Sequence, residues 1–541
     1  MYILDINWEK EGESQNENER NNHMFRSFFN KGKPREKIVL NKNEQSHEIE
    51  SFYVSKTLQE NIDYLTYLLD DPNDLKIRVL QISDANIKVA IIFFEGIIDP
   101  ITTEQSILNN IEKETNLPLN TNELFDYISH KLIAVNDVKK EGHFNEIVNA
   151  LLSGMTIFLM EDVNDCLIIN TIGGDFRQIE EPVTETLIRG PRDGFVENIQ
   201  SNLALIRRSI RDPNLRFKTY TVGRRSRNNL VVVYVDDIVH PPLIEELDRR
   251  LKTIDIDIVP ESGYIEQLIE DSFLSPFPQI LHSERPDKVS AAIVQGKFAI
   301  ILDGTPFVLI APAVFANVLQ SPEDYYERWT IGSLLRILRY FGAFISIFLP
   351  ALYIALVSFQ PGMIPSELVF SIAGTRQDVP FPPVVEAFLM VVTFELLQEA
   401  GARLPQTIGQ TIGIVGGLVI GEASVQAGIV SPIMVIVIAL TAVANFAIPA
   451  FSVAIGFRII RFGFMIAAGM FGLYGLVLAY IMVNIHFVNL KSFGVPYSTP
   501  FSPFFKKDWN DVIIRFPLAK LTNRPGYLSP EDNTSQDNRG V

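Results

Sequence analysis

The sequence predicts an α/β cytoplasmic N-terminal region, in two subdomains, followed by a polytopic α-helical membrane domain. Three observations carry that expectation. Between about Ser51 and Asp324, apolar runs of strand length alternate with helical periodicity. After Arg339 the composition changes abruptly, and runs without Asp, Glu, Lys or Arg become long enough to span a bilayer. Met1 to Lys10 shows no basic stretch followed by an apolar core, so no cleavable signal is visible and the N-terminal region is expected to stay in the cytoplasm. The expected boundaries are a flexible polar arm over 1–50, α/β subdomains over 51–175 and 176–325, a membrane domain over 326–490 with about five hydrophobic segments, and a C-terminal tail over 491–541.

Each element has its own justification. The arm mixes Asn, Glu and Lys and cannot bury enough apolar surface to order itself. Lys88 to Phe94 reads as a buried strand ending near Gly96 and Pro100. Thr156 to Met160 and Cys166 to Thr171 flank Glu161 to Asp165 as a hairpin with a longer loop. A break near Thr171 to Pro191 separates the subdomains. Gly194 to Arg211 has helical periodicity, and Leu230 to Val235 is a buried strand. Pro241-Pro242 opens a helix through Leu251, and Ile254 to Ile258 alternates like a strand. Ala299 to Leu302 and Pro306 to Ile310 turn on Asp303-Gly304, a strong hairpin signal.

The membrane part divides into candidate segments 338–359, 383–401, 407–421, 430–451 and 462–486. Basic residues precede the first (Arg328, Arg336, Arg339), precede the last (Arg458, Arg461) and follow it (Lys491, Lys506, Lys507). The positive-inside rule puts all three groups in the cytoplasm, so 462–486 is either two short helices or one crossing with an exceptional tail. Within 383–421 stand Glu386, Glu395, Glu399 and Arg403, then Gly409, Gly413, Gly417 and Gly421. On a helix, Glu395, Glu399 and Arg403 share one stripe, with Glu386 about half a turn away. Charge inside a bilayer marks a solute path or a subunit contact by default. The plainer alternative pairs Glu399 with Arg403 at a helix end before Leu404-Pro405. Glycines at every fourth position suit close helix packing, between subunits or within the chain. A phosphate loop needs a preceding strand and polar context, and neither is there.

Charge and composition exclude other classes. The chain has 64 acidic and 47 basic residues, a net charge of -17, which argues against general nucleic-acid binding. The basic run from Arg189 to Arg227 reads as a solvated helix and loop paired with acidic neighbours or partner subunits rather than a nucleic-acid or anionic-lipid patch. The one cysteine, Cys166, rules out an intramolecular disulfide framework and reads as a small buried hydrophobe. Seven histidines form no metal-ligand spacing, and no nucleophile elbow or HExxH occurs, so no enzyme, metal or cofactor is expected.

Several ordered strings carry a resemblance. They are Glu261-Ser-Gly-Tyr-Ile-Glu-Gln-Leu-Ile-Glu-Asp271, Ser275-Pro-Phe-Pro-Gln279, Glu284-Arg-Pro-Asp-Lys288, Asp303-Gly-Thr-Pro-Phe307, Gln320-Ser-Pro-Glu-Asp-Tyr-Tyr326, Phe394-Glu-Leu-Leu-Gln-Glu-Ala-Gly401 and Gly413-Ile-Val-Gly-Gly-Leu-Val-Ile-Gly421. Over about Ser51 to Leu518 the chain resembles the A subunits of GerA-family spore germinant receptors of spore-forming Gram-positive bacteria. The resemblance implies a multi-pass protein of the spore inner membrane. It also implies as partners a transporter-like, nutrient-binding B subunit, a lipoprotein C subunit, further copies of the chain in a homo-oligomer, and membrane lipid. The implied role is an ion-conducting channel that triggers germination. A non-conducting scaffold and a proton-coupled secondary transporter are the alternatives, and the absence of a detectable repeat among the spans weighs against the last.

Overall fold

The computed structural model describes residues 53–536, apart from 71, 83–86, 109, 111–117, 119, 134, 136, 174–180, 183, 404–416 and 418. The polar arm over 1–50, Gly409 and Gly413 therefore lie outside the described residues, as does most of the segment 407–421.

Two antiparallel sheets form the α/β region. In the first, α1 (Leu58–Leu69) precedes β1 (Leu75–Ile82) and β2 (Ile87–Phe94). After α2 (Thr121–Tyr127) come β3 (Val138–Glu141), α3 (Phe144–Leu152), β4 (Thr156–Met160) and β5 (Cys166–Ile169). The strand order is β1-β2-β4-β5-β3. In the second, α4 (Ile199–Ser209) precedes β6 (Leu215–Val222) and β7 (Asn228–Val235). Then follow α5 (Pro241–Lys252), α6 (Ser262–Ile269), β8 (Leu281–Ser283), α7 (Pro286–Val294), β9 (Phe298–Leu302) and β10 (Val308–Ala311). Its order is β6-β7-β9-β10-β8. Numbered from the start of each sheet, the two orders are the same.

That identity extends to detail. Asn61 is buried and bonds both ways with the backbone of Ser55, at 2.8 and 2.7 Å. Asn202 does the same with Val196, at 2.8 and 2.6 Å. Each sheet's central hairpin follows a left-handed glycine after the packed helix, Gly154 (φ 91°) and Gly296 (φ 99°). The backbone bonds around these two turns also match: Met155 N donates to Ala150 O, and Lys297 N to Ala292 O. The α/β region is an internal duplication.

Strand alternation explains the layering. Leu230 and Val232 point to α5 and α6, and Val231, Val233 and Val235 to α4 and α7. Arg207 on α4 joins the two repeats. It donates to Asp74 through Nε (3.0 Å) and Nη2 (2.8 Å), and lies over the rings of Phe94 and Phe217 at 4.6 and 4.4 Å. One expectation fails here: Ile254 to Ile258 is not a strand. It lies beside the β6–β7 turn, accepting from Arg224 N and Arg225 N, while Asp255 and Asp257 pair outward with Arg224. The alternation records a half-covered extended segment rather than a ladder. Two more basic residues of 189–227 are similarly tied within the chain, Arg216 to Asp70 and Lys218 to Asp248.

Long apolar helices follow: α8 (Trp329–Ser358), α9 (Ser366–Thr375), α10 (Pro383–Arg403), α11 (Pro432–Phe446) and α12 (Phe451–Asn489). Two of them, α8 and α12, are long and apolar enough to cross a membrane by length and composition. α12 is not straight. Gly472 has φ 61° and ψ -140°, a conformation closed to residues with a Cβ. The ring of Phe348 lies 4.7 Å from Phe464 and 5.9 Å from Tyr480, whose sequence separation would set them about 24 Å apart on one straight helix. Phe315 likewise touches both Phe457 and Phe487, at 6.5 and 5.0 Å. Residues 451–471 and 473–489 therefore run antiparallel as a helical hairpin with Gly472 at its tip. Of the two readings left open for 462–486, the structure takes the one with two helices.

The chain then returns to the second sheet. β11 (Lys491–Ser492) and β12 (Val495–Pro496) form a small ladder. Phe493, Val495 and Val512 complete the core formed by α5, α6 and the second sheet. Ser492 Oγ donates to Gln279 O at 2.6 Å and accepts from Ala313 N at 3.0 Å.

Candidate functional site

The charged residues of α10 fall into two clusters at different depths. At its first turn, Glu386 is fully buried. Its carboxylate accepts from Ser431 N (2.5 Å), Ser431 Oγ (2.6 Å) and Arg376 Nη1 (2.6 Å). Ser431 is the N-cap of α11, so Glu386 places its charge at that helix's positive end. Both oxygens of this carboxylate are engaged inside the chain, Oε1 twice and Oε2 once.

Further along α10, Glu395 Oε2 accepts from Arg458 Nη1 at 3.1 Å, and Oε1 lies 3.6 Å from Arg461 Nη2. The Asn445 amide, oriented to donate to Ser346 Oγ at 3.2 Å, accepts from Arg458 Nε at 3.1 Å. This cluster therefore joins α8, α10, α11 and the first arm of the hairpin. It is incompletely satisfied. Arg461 Nε and Nη2, Glu395 Oε1 and both amide atoms of Gln398 are buried without a hydrogen bond. Two arginines face one carboxylate, and polar atoms lie open inside an apolar bundle, where an unmet polar group costs several kcal/mol.

Glu399 lies on the exposed side of α10. Its proposed partner Arg403 ends the helix, and the Arg403 side chain lies outside what the structure describes. Of the two described glycines, Gly421 sits against Val435 of α11, its Cβ position 3.5 Å from Cγ1, whereas no atom of the described residues lies within 4 Å of the Cβ position of Gly417. The structure thus sets Glu386 and Glu395 in separate environments, and of the two glycines only Gly421 has a packing neighbour among the described residues.

Sequence reasoning missed a third cluster, at the foot of α8. Arg336 is fully buried, with Nε donating to Asp324 Oδ2 (3.1 Å) and Nη1 to Asp511 Oδ1 (2.8 Å). Arg339 Nη1 donates to Asp324 Oδ1 at 2.7 Å, and Tyr325 OH to Asp511 Oδ2 at 2.6 Å. The joint ties three distant stretches: the segment after the second sheet, the first apolar helix and the C-terminal segment. The i,i+3 spacing of Arg336 and Arg339, and of Arg458 and Arg461, was the available signal, but it names no partner. Among the described residues, no group of three or more His, Cys, Asp or Glu could hold a metal.

Comparison with known proteins gives the chain a family. A model of the Bacillus/Clostridium GerA spore germination protein family matches residues 63–527. The chain is 49% identical over 466 residues to spore germination protein GerLA of Bacillus cereus, covering 86% of this chain and 94% of the relative. It is 43% identical over 484 residues to spore germination protein KA of Bacillus subtilis (strain 168), covering 89% of each. Among solved structures, the N-terminal domain of the A subunit of the Bacillus megaterium spore germinant receptor GerK3 is 31% identical. The match covers 49% of this chain and 97% of that one, with a TM-score of 0.38. Matched over most of its length at this identity, the chain belongs to the GerA family of spore germination proteins.

Proposed function

We propose that the chain is the A subunit of a nutrient germinant receptor in the spore inner membrane, that it crosses that membrane several times, and that copies of it assemble into an ion-conducting channel. It works with a transporter-like, nutrient-binding B subunit and a lipoprotein C subunit, and its α/β region lies in the cytoplasm. The packing supports the topology. α8 leaves the α/β region at Arg336 and ends beside the hairpin tip, where Gln360 Oε1 accepts from Leu473 N at 3.3 Å. α10 starts at that far level, with Val384 against Gly469, and returns to the level of Arg458. α11 starts at the far level with Ser431 and returns to Asn445, and the hairpin goes out and back. Both ends of the helical region meet the α/β region, which supports an even number of crossings.

The single observation that carries the channel reading is the Glu395–Arg458–Arg461 cluster, a charged and incompletely satisfied group inside apolar helices. The lack of a neighbour for Gly417 among the described residues supports packing between copies. Partner signals open such a pore only by favouring its open state over its closed one. One observation favours a second reading, a non-conducting scaffold coupling the nutrient-binding subunit to downstream release: both oxygens of Glu386 are engaged in capping and pairing. Ion flux from liposomes holding the purified full chain separates the two. A conducting pore is expected to leak ions without the other subunits, and Glu395→Gln to alter that leak at least several-fold. A tight liposome favours the scaffold, and an unchanged leak in Glu395→Gln removes the cluster from the pathway.

A further inference from the structure

The duplication supplies an internal reference for every position in the second repeat, and Lys297 departs from it. Lys297 is only 2% exposed, and Nζ donates to Asn317 Oδ1 at 2.6 Å. Among the described residues no carboxylate lies within ion-pair distance of it. An ammonium offers three donors, so most of its capacity is unused. The fold does not require a cation here, because the first repeat carries Met155 after the matching turn, with the same backbone bonds. A buried charge that the fold does not need is costly to keep without a partner.

Space for that partner exists. Lys297 lines a cavity of about 170 Å³ between α7, β10 and the segment 317–326. Asn317, Gln320 and Tyr325 separate it from a second cavity of about 490 Å³ under the C-terminal segment. Lys507 and Lys520 line the larger cavity, and neither has a carboxylate within ion-pair distance among the described residues. The acids in these walls have partners of their own. Asp287 Oδ2 pairs with Arg285 (2.9 Å) and accepts from Tyr326 OH, while its Oδ1 is buried without a hydrogen bond. Asp511 pairs with Arg336, and Asp508 accepts from Gly526 N (3.0 Å) and Tyr527 N (3.2 Å). Lys288 is bound to Glu185 at 2.6 Å. The groove around Met155 in the first repeat carries Asp137 and Glu146 and one lysine, Lys139, which is paired with Glu141 at 2.9 Å.

We propose that the paired cavities at Lys297 bind a small anion bearing a carboxylate or phosphate group, with its charge on the Lys297 ammonium and its body toward Lys507 and Lys520. The site touches the foot of α8. Asn317 Nδ2 donates to Gln320 Oε1 (3.1 Å), and Gln320 Nε2 donates to Asp511 O (2.7 Å), the residue that holds Arg336. Burial, with a smaller effect of Lys288, lowers the Lys297 ammonium to about 7. The phenols of Tyr325, Tyr326 and Tyr527 are raised, so they stay neutral there.

Sulfate is a suitable probe, being a dianion throughout the neutral range. Titrated calorimetrically into the full chain in neutral-lipid nanodiscs at about pH 6, it is expected to fill one saturable site. Affinity should then fall about tenfold per pH unit above about 7, as a proton must be taken up with the anion. Lys297→Met, which installs the residue of the first repeat, should abolish the site, and Lys297→Arg should keep it without the pH dependence. No saturable binding at about pH 6, or equal binding in Lys297→Met, overturns the proposal. Should Lys297→Met fail to fold, the same pH slope in wild type and Lys297→Arg overturns it instead. Sulfate binding kept in discs containing anionic lipid identifies a soluble anion as the occupant. Binding lost there through competition identifies a lipid headgroup. Both support the anion site, and neither depends on channel activity.

Discussion

Arg207 shows how one side chain can hold two repeats together. Its guanidinium is buried, bidentate to Asp74, and sandwiched between Phe94 and Phe217, one ring from each sheet. Removing one partner of such a pair strands the other charge and costs about 3–5 kcal/mol, more than the pair itself contributes. Arg207→Met is therefore expected to lower the thermal midpoint of the full chain sharply, and adding Asp74→Asn should recover part of the loss. A double variant no better than the single one would contradict that coupling. Glu266 on α6 carries a pH dependence. Burial, then Glu270 and Glu261, push its carboxyl up from 4.5 to about 7. The folded chain holds this proton more tightly than the unfolded chain, so the contribution is complete below about pH 4.5 and lost as pH rises to about 7. Glu266→Gln should match wild type near pH 4 and be more stable near pH 8, by on the order of 2 kcal/mol in a denaturant titration.

At the scale of elements, the hairpin of α12 depends on two glycines. A Cβ on Gly475 would lie 2.0 Å from Ala467 O in the other arm, and one on Gly472 would lie 2.8 Å from Phe359 Cβ. Neither obstacle is the free end of a flexible side chain. Gly475→Leu is expected to splay the arms and reduce folded protein in the membrane fraction, whereas a substitution at Gly463, which faces open space, should not. Wild-type yield and melting in Gly475→Leu would refute the hairpin. What could be read in advance follows from how local each signal is. Leu230 to Val235, the turn at Asp303-Gly304 and the helix after Pro241-Pro242 were legible because run length, turn chemistry and proline each act within a few residues. Gly472 was not legible, because it sits among Gly463, Gly469 and Gly475 in one apolar run, and only the contacts of Phe348 and Phe315 reveal the bend. Nor was the partner of Glu395, since Arg458 lies 63 residues away and helical spacing says nothing at that range. The duplication escaped notice because backbone geometry persisted at Asn61/Asn202 and Gly154/Gly296 while most side chains diverged.

For the whole molecule, the hairpin places Tyr474 at the end of the helices opposite the C-terminal segment. Cys166 is fully buried and burial pushes its thiol up, so the chain is nearly silent toward impermeant maleimides. A cysteine introduced at Tyr474 and one introduced at Lys506 should label from opposite sides of sealed vesicles. Labelling of both from the same side would be incompatible with the proposed crossing. The return of the C-terminal segment has a consequence in time as well as in space. Phe493, Val495 and Val512 finish a core whose other members, from Val222 to Ala316, leave the ribosome before any apolar helix does. That core lacks these three members throughout synthesis of the helical region and is completed only when the last segment arrives. On the proposed topology, a chain that inserts its helices with the wrong parity would deliver those residues to the wrong compartment and leave that core unfinished.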